Sequence, residues 1–252
     1  MNVSRLANLV YKSAINHTPY SVKYKAMTAW QRTLPPYHVV KPGDVVVQIG
    51  VAGHLCPMGR SQAILYSRLV GDTGKVLAFE AIPENLDHFC SYVTRHGITN
   101  IESKSTGLWN EKGTLVFDAP AKGPGSSRIK AAKTDAPYQY TTEREFPVDT
   151  LDHLLDEQGV ERLDLINITT NCAETEIMEG GMKYLKRFKP TLCVPERPEN
   201  LEYFEANLKP LGYTAQVREV RLHLLGSPFR VLWAERPNEQ NNPTIAETNA
   251  HA

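Results

Sequence analysis

The chain has 252 residues, enough for one α/β domain that buries its own core without disulfide or metal staples. Twenty-eight basic residues balance 28 acidic ones and 41% of the chain is apolar, which argues against a wholesale nucleic-acid binder and against a disordered polypeptide. No run of about 18 apolar residues is present, so no transmembrane helix is expected.

The neutral total conceals a split. Residues 1–43 carry six basic residues (Arg5, Lys12, Lys23, Lys25, Arg32 and Lys41) and no acid, leaving 22 bases against 28 acids in the remainder. The leader has no apolar core or cleavage site of a signal peptide, and its Tyr and Pro content argues against an organelle transit peptide. Cys56, Cys90, Cys172 and Cys193 form no C-x-x-C pair. A reducing, cytoplasmic setting is therefore expected. His54 and Cys56 lack a second ligand pair at zinc spacing, so no metal is expected.

In chain order, Val3, Leu6, Ala7, Val10 and Ala14 recur at helical spacing, and Leu34-Pro35-Pro36 closes this basic helical extension, residues 1–40. Strands and helices then alternate, as in a parallel sheet with crossovers. Val45 to Ile49 is a β-branched run and reads as a buried strand. A loop from Gly50 to Gly59 follows, then a helix capped by Ser61 and reaching Val70. After the Gly71–Gly74 turn, Val76 to Glu80 is a second strand. Pro83 and Glu84 open a helix with Leu86, Phe89, Cys90 and Val93 on one face, and Gly97 stops it. Residues 98–104 read as a third strand. Thr114 to Phe117 reads as a short strand, followed by a glycine-rich loop and about twenty residues of weak periodicity.

Thr150 or Asp149 caps a helix carrying Leu151, Leu154 and Leu155. Leu163 to Ile168 is the fourth strand of the main sheet. Ala173, Ile177, Leu185 and Phe188 mark a helix, and Thr191 to Val194 a fifth strand. Pro198 opens a helix through Leu201, Phe204, Leu208 and Leu211, ended by Gly212. Residues 213–221 and 229–235 read as a closing antiparallel hairpin, and the polar tail, residues 237–252, as disordered.

The strongest chemical signal is the first strand–loop–helix unit together with an acid at the end of the second strand. Gly50 and Gly53 let the backbone turn tightly and approach a ligand. Glu80 stands where doubly wound sheets place the acid that accepts from ribose hydroxyls. The bland alternative is a pair of turn glycines and an exposed acid. The G-x-G-x-x-G pattern is missing, which argues against NAD.

Gly74-Lys75-Val76-Leu77-Ala78-Phe79-Glu80-Ala81-Ile82-Pro83-Glu84-Asn85 resembles the block around the second strand of FkbM-type S-adenosylmethionine-dependent methyltransferases. Thr106 to Gly113, Val148 to Asp152, Leu165 to Glu174 and Glu176 to Leu185 resemble further blocks of that family in the same order, over about residues 40 to 235. The resemblance implies a class I methyltransferase fold over residues 41–236: a seven-stranded, mostly parallel, Rossmann-like sheet with helices on both faces and a C-terminal antiparallel hairpin. It implies S-adenosylmethionine as cofactor. Gln48, Gly50, Gly53 and Thr169 would lie at its methionine part, Glu80 at the ribose, and the Ser105-Thr106-Gly107 turn near the adenine.

Three departures from the family pattern stand out. Gln48 replaces an aspartate, the loop after Gly50 is longer, and Thr169, Asn171 and Cys172 replace an Asp, a Glu and a Gly. A hydroxyl acceptor needs a general base, which Thr169 cannot be at neutral pH. Glu174, His54 and Glu196 are the remaining candidates. Their plain alternatives are a helix N-terminal acid, a solvated loop histidine and a local ion pair of Glu196 with Arg197. Two functions follow. One is O-methylation of a small molecule or sugar hydroxyl, with residues 119–146 as an acceptor-side lid or a plain insertion. The other is a weakened relative that binds a nucleoside cofactor or a partner without turnover. The basic leader, Val3 to Ala14, would either pack on the acidic body or touch a membrane surface.

Overall fold

The computed structural model describes residues 10, 13–120, 128–129, 140–220 and 229–235. Most of the expected leader helix, the middle of the 119–146 segment with Lys130, and the tail lie outside the described residues.

The main sheet has seven strands: β1 (Val45–Ile49), β2 (Lys75–Glu80), β3 (Ile101–Ser105), β8 (Leu165–Ile168), β9 (Thr191–Pro195), β10 (Thr214–Val220) and β11 (Phe229–Glu235). Their order is β10-β11-β9-β8-β1-β2-β3. β3, β2, β1, β8 and β9 run parallel, while β11 is antiparallel to β9 and to β10. This is the class I methyltransferase architecture.

Alternation along each strand splits the core into two layers, as period-2 side chains must. Val47, Ile49, Leu77, Phe79, Ile166 and Ile168 pack on one face, and Val46, Val76, Ala78 and Leu165 on the other. Gln48 and Asn167 share the second face and stand opposite each other in register.

The connecting helices are α2 (Gln62–Val70), α3 (Pro83–Arg95), α4 (Leu151–Glu157), α5 (Glu174–Glu179), α6 (Met182–Phe188) and α7 (Pro198–Tyr203). Thr150 caps α4, its hydroxyl oxygen accepting from His153 N at 3.1 Å. The single helix expected from Ala173 to Phe188 is two, broken at Gly180-Gly181, because Gly180 presses on the Trp109 carbonyl. The helix expected from Pro198 to Leu211 is regular only through Tyr203. It widens to a π turn at Phe204–Leu208 and tightens to a 3-10 turn at Lys209–Leu211.

Residues 105–149 hold more order than expected. β4 (Gly107–Leu108), β5 (Gly113–Pro120), β6 (Arg128–Ile129) and β7 (Tyr140–Asp149) form a second sheet, ordered β4-β7-β5-β6. β7 pairs along β5, and the Phe117 and Phe146 rings meet edge to face at 5.2 Å.

Before the domain, α1 (Tyr20–Gln31) packs on the body. Tyr24 is fully buried and donates to the Cys56 carbonyl at 3.0 Å, and Lys23 donates to the Pro57 carbonyl. Tyr20 stacks on His96 at 4.4 Å. This aromatic docking matches the packing alternative for residues 20–31. No helix among the described residues is long and apolar enough to cross a membrane.

Candidate active site

The carboxyl ends of β9, β8, β1, β2 and β3 share one edge, and a cleft of about 460 Å³ opens along it. Its size falls in the range of small-molecule sites, at the edge where open α/β sheets bind ligands. Gln48, Gly50, Glu80, Thr106, Gly107 and Thr169 line it.

Glu80 is held at the end of β2 by backbone amides. Oε2 accepts from Val51 N at 2.8 Å and Oε1 from Ile82 N at 3.0 Å, with the Asn85 side chain adding a third bond. The residue is 9% exposed. Burial pushes its pKa above the ordinary value, while the Ile82 and Val51 amides pull it back. A carboxylate oxygen accepts more than one hydrogen bond, so a fixed, oriented acceptor still faces the cleft.

Gly50 follows β1 with φ +83°, and a Cβ there would lie 2.6 Å from the Thr169 carbonyl oxygen. Only glycine lets β1 turn this closely past the end of β8. Beside it, Gln48 Nε2 donates to Thr169 Oγ1 at 2.9 Å and to the Gly50 carbonyl at 3.0 Å. Gln48 Oε1 accepts from Asn167 Nδ2 at 2.6 Å, and Asn167 also reaches Gln62 Oε1 at 3.1 Å. A carboxylate could not make the donor bonds, so the amide at position 48 ties β1 to β8 instead of offering charge.

The other sequence candidates lie outside the cleft wall. Gly53 begins a 3-10 turn, Gly53–Met58, and seats it on α3: a Cβ would meet the Asn85 carbonyl oxygen at 2.4 Å. His54 is exposed on that turn, its pKa lowered by partial burial and then by Arg60 and His88. Ser105 ends β3 in register with Glu80. Glu196 stands 3.5 Å from Arg230. The local ion pair expected of Glu196 with Arg197 is not formed, because Arg197 turns to Glu174 and Cys172.

Glu174 lies behind the cleft, 2% exposed. Its Oε1 accepts from Thr170 Oγ1 at 3.2 Å, and its Oε2 is 3.9 Å from Arg197 Nε. Burial raises its pKa, against the pull of Arg197. Arg197 Nη1 donates to Cys172 Sγ at 2.6 Å. Cys172 takes φ +67°. That left-handed conformation stands where the resembled family carries glycine, so the backbone bend persists although the residue has changed.

Sequence reading missed Arg60, Ser61, Gln62, Asn85, Phe117, Arg197 and Phe229, which also line the cleft. A legible signal existed for two of them. Arg60 directly precedes the Ser61 cap of α2, and Arg197 caps α7. A cation at a helix N-terminus opposes the helix dipole, and such a local mismatch points to another role.

Residues 44–231 match the family model described as the methyltransferase FkbM domain. The chain belongs to the FkbM methyltransferase family. No curated protein matches it at a significant level. Its fold is similar to that of the methyltransferase FkbM from Methylobacillus flagellatus, with TM-score 0.50 and 12% identity over 90% of this chain. The match spans 59% of that longer chain. The O-methyltransferase TomG of Streptomyces achromogenes, solved with S-adenosylmethionine, aligns at TM-score 0.47 and 12% identity over 85% of this chain and 79% of its own. Aeropyrum pernix fibrillarin, with natively bound S-adenosylmethionine, aligns at TM-score 0.44 and 15% identity over 84% and 75%.

Proposed function

We propose that this FkbM-family chain binds S-adenosylmethionine in the cleft and methylates an oxygen of a small molecule. The observation that carries the cofactor assignment is Glu80. Its two oxygens are fixed by the Val51 and Ile82 amides at the carboxyl edge of β2, ready to accept from a ribose. In this reading Thr106 and Gly107 lie at the adenine, and Gly50, Gln48 and Thr169 at the methionine part. When bound, the cofactor supplies an electrophilic methyl group on a positively charged sulfur. The chain's part is to align that methyl with the acceptor, and alignment alone is worth several kcal/mol, up to about 7–11.

The methionine end offers carbonyls, an amide and a hydroxyl in place of a carboxylate. Because Gln48 and Thr169 bond each other, a second reading keeps some support: a nucleoside binder without turnover. Titration calorimetry with S-adenosylmethionine and S-adenosylhomocysteine, followed by mass spectrometry of a small-molecule panel, separates the two. Saturable binding with methylated product supports the enzyme. Binding with no product from any member supports the second reading, and no binding at high micromolar concentration overturns both.

A further inference from the structure

The charges on the cleft wall follow the order of the sheet. Among the described lining residues, three are charged: Glu80, Arg60 and Arg197. Glu80 ends β2. Arg197 follows β9, three strand spacings away at about 14 Å along the edge. Thr169, Thr170 and Asn171, after β8, lie between β9 and β1. The ribose-side end therefore carries the one anion, and the far end carries a cation.

No histidine, lysine, aspartate or tyrosine lies among the described residues of the wall. A hydroxyl acceptor must lose its proton to a base within about 3 Å of it, directly or through one water. Glu80 is tied to two backbone amides at the far side of β1, and Glu174 is buried behind the wall. A carboxylic acid needs no such base. It is already ionised at neutral pH, and its anion complements a guanidinium fork.

We infer that the acceptor is a small-molecule carboxylate, bound at the β8–β9 end of the cleft by Arg197 and drawn in by Arg60, and that the product is its methyl ester. This rests on the methyltransferase reading above. A carboxylate oxygen gives a lone pair to the methyl carbon, the carbon–sulfur bonding pair stays on sulfur, and no proton moves. Arg197 is preset for the task, since Cys172 Sγ and Glu174 hold one side of its guanidinium. Phe117 and Phe229 add apolar wall for the rest of the molecule.

The test uses the full chain saturated with S-adenosylhomocysteine. Matched probes are titrated calorimetrically: benzoate against benzyl alcohol, hexanoate against hexanol, glucuronate against glucose. Binding of at least one acid, at least 10-fold tighter than its alcohol, is expected. Arg197→Gln should weaken that acid by about 10-fold or more, with Arg197→Lys recovering part of the loss. With S-adenosylmethionine, mass spectrometry should find the methyl ester. Its rate should be flat with pH from about 6 to 9, because no group must deprotonate. Alcohols bound as well as acids, or methyl ethers formed instead of esters, would overturn the carboxylate assignment. So would acid affinity unmoved in both Arg197→Gln and Arg60→Gln. Failure of S-adenosylhomocysteine itself to bind would instead remove the methyltransferase reading, so the two failures are distinguishable.

Discussion

Replacing Glu80 by glutamine tests the ribose assignment with the least change of shape. In the wild type each carboxylate oxygen faces a backbone donor, Val51 N at 2.8 Å and Ile82 N at 3.0 Å. A glutamine has one oxygen and one NH₂ group, so one of these buried amides would face another donor. An unsatisfied buried donor costs about 1–3 kcal/mol, and a loss of that order in folding stability is expected from urea unfolding. Binding falls for a separate reason. Losing one charge-assisted bond to a ribose hydroxyl removes about 1.5–3 kcal/mol, or about 10- to 150-fold in affinity. Calorimetry with S-adenosylhomocysteine, at a temperature where the variant is folded, reads this directly. A folded Glu80→Gln variant with unchanged affinity would refute the assignment of the ribose to this carboxylate.

Other variants probe the strand ends and the buried acid. Gly50→Ala forces a Cβ against the Thr169 carbonyl at φ +83°, so it should lose at least about 1 kcal/mol of stability, read as a lower urea midpoint. Cys172→Gly should stay within about 1 kcal/mol of wild type, because the backbone already holds a glycine conformation, whereas Cys172→Val should lose more than about 1 kcal/mol. Glu174 is held above its ordinary pKa of 4.5 chiefly by burial. Its folded pKa is the higher one, so its contribution to stability is complete below the unfolded value and lost as pH rises through the folded value. Urea midpoints of Glu174→Gln relative to wild type should therefore shift in the variant's favour from about pH 4 to 8, and a pH-independent gap would contradict this.

The main sheet was legible because its strands are continuous apolar runs, such as Val45-Val46-Val47, bounded by glycines and prolines. The second sheet was not. In β7 the inward Phe146 and Val148 are preceded by Thr142, Glu143, Arg144 and Glu145, and pairing with β5 outweighs that polar composition. The break at Gly180-Gly181 escaped notice because apolar spacing continues across it, while its cause, the Trp109 carbonyl, is distant in sequence. At the site, Gly50 and Glu80 could be placed on the cleft edge from strand positions alone. Arg197 could not, since its partners Cys172 and Glu174 come from another strand end.

A crystal structure with S-adenosylhomocysteine tests the central claim most directly. The account predicts the nucleoside in the cleft, with ribose hydroxyls about 2.6–3.2 Å from the Glu80 oxygens and the sulfur turned toward Thr169 and Asn171. A nucleoside bound elsewhere, or one leaving Glu80 with only its backbone partners, would contradict it.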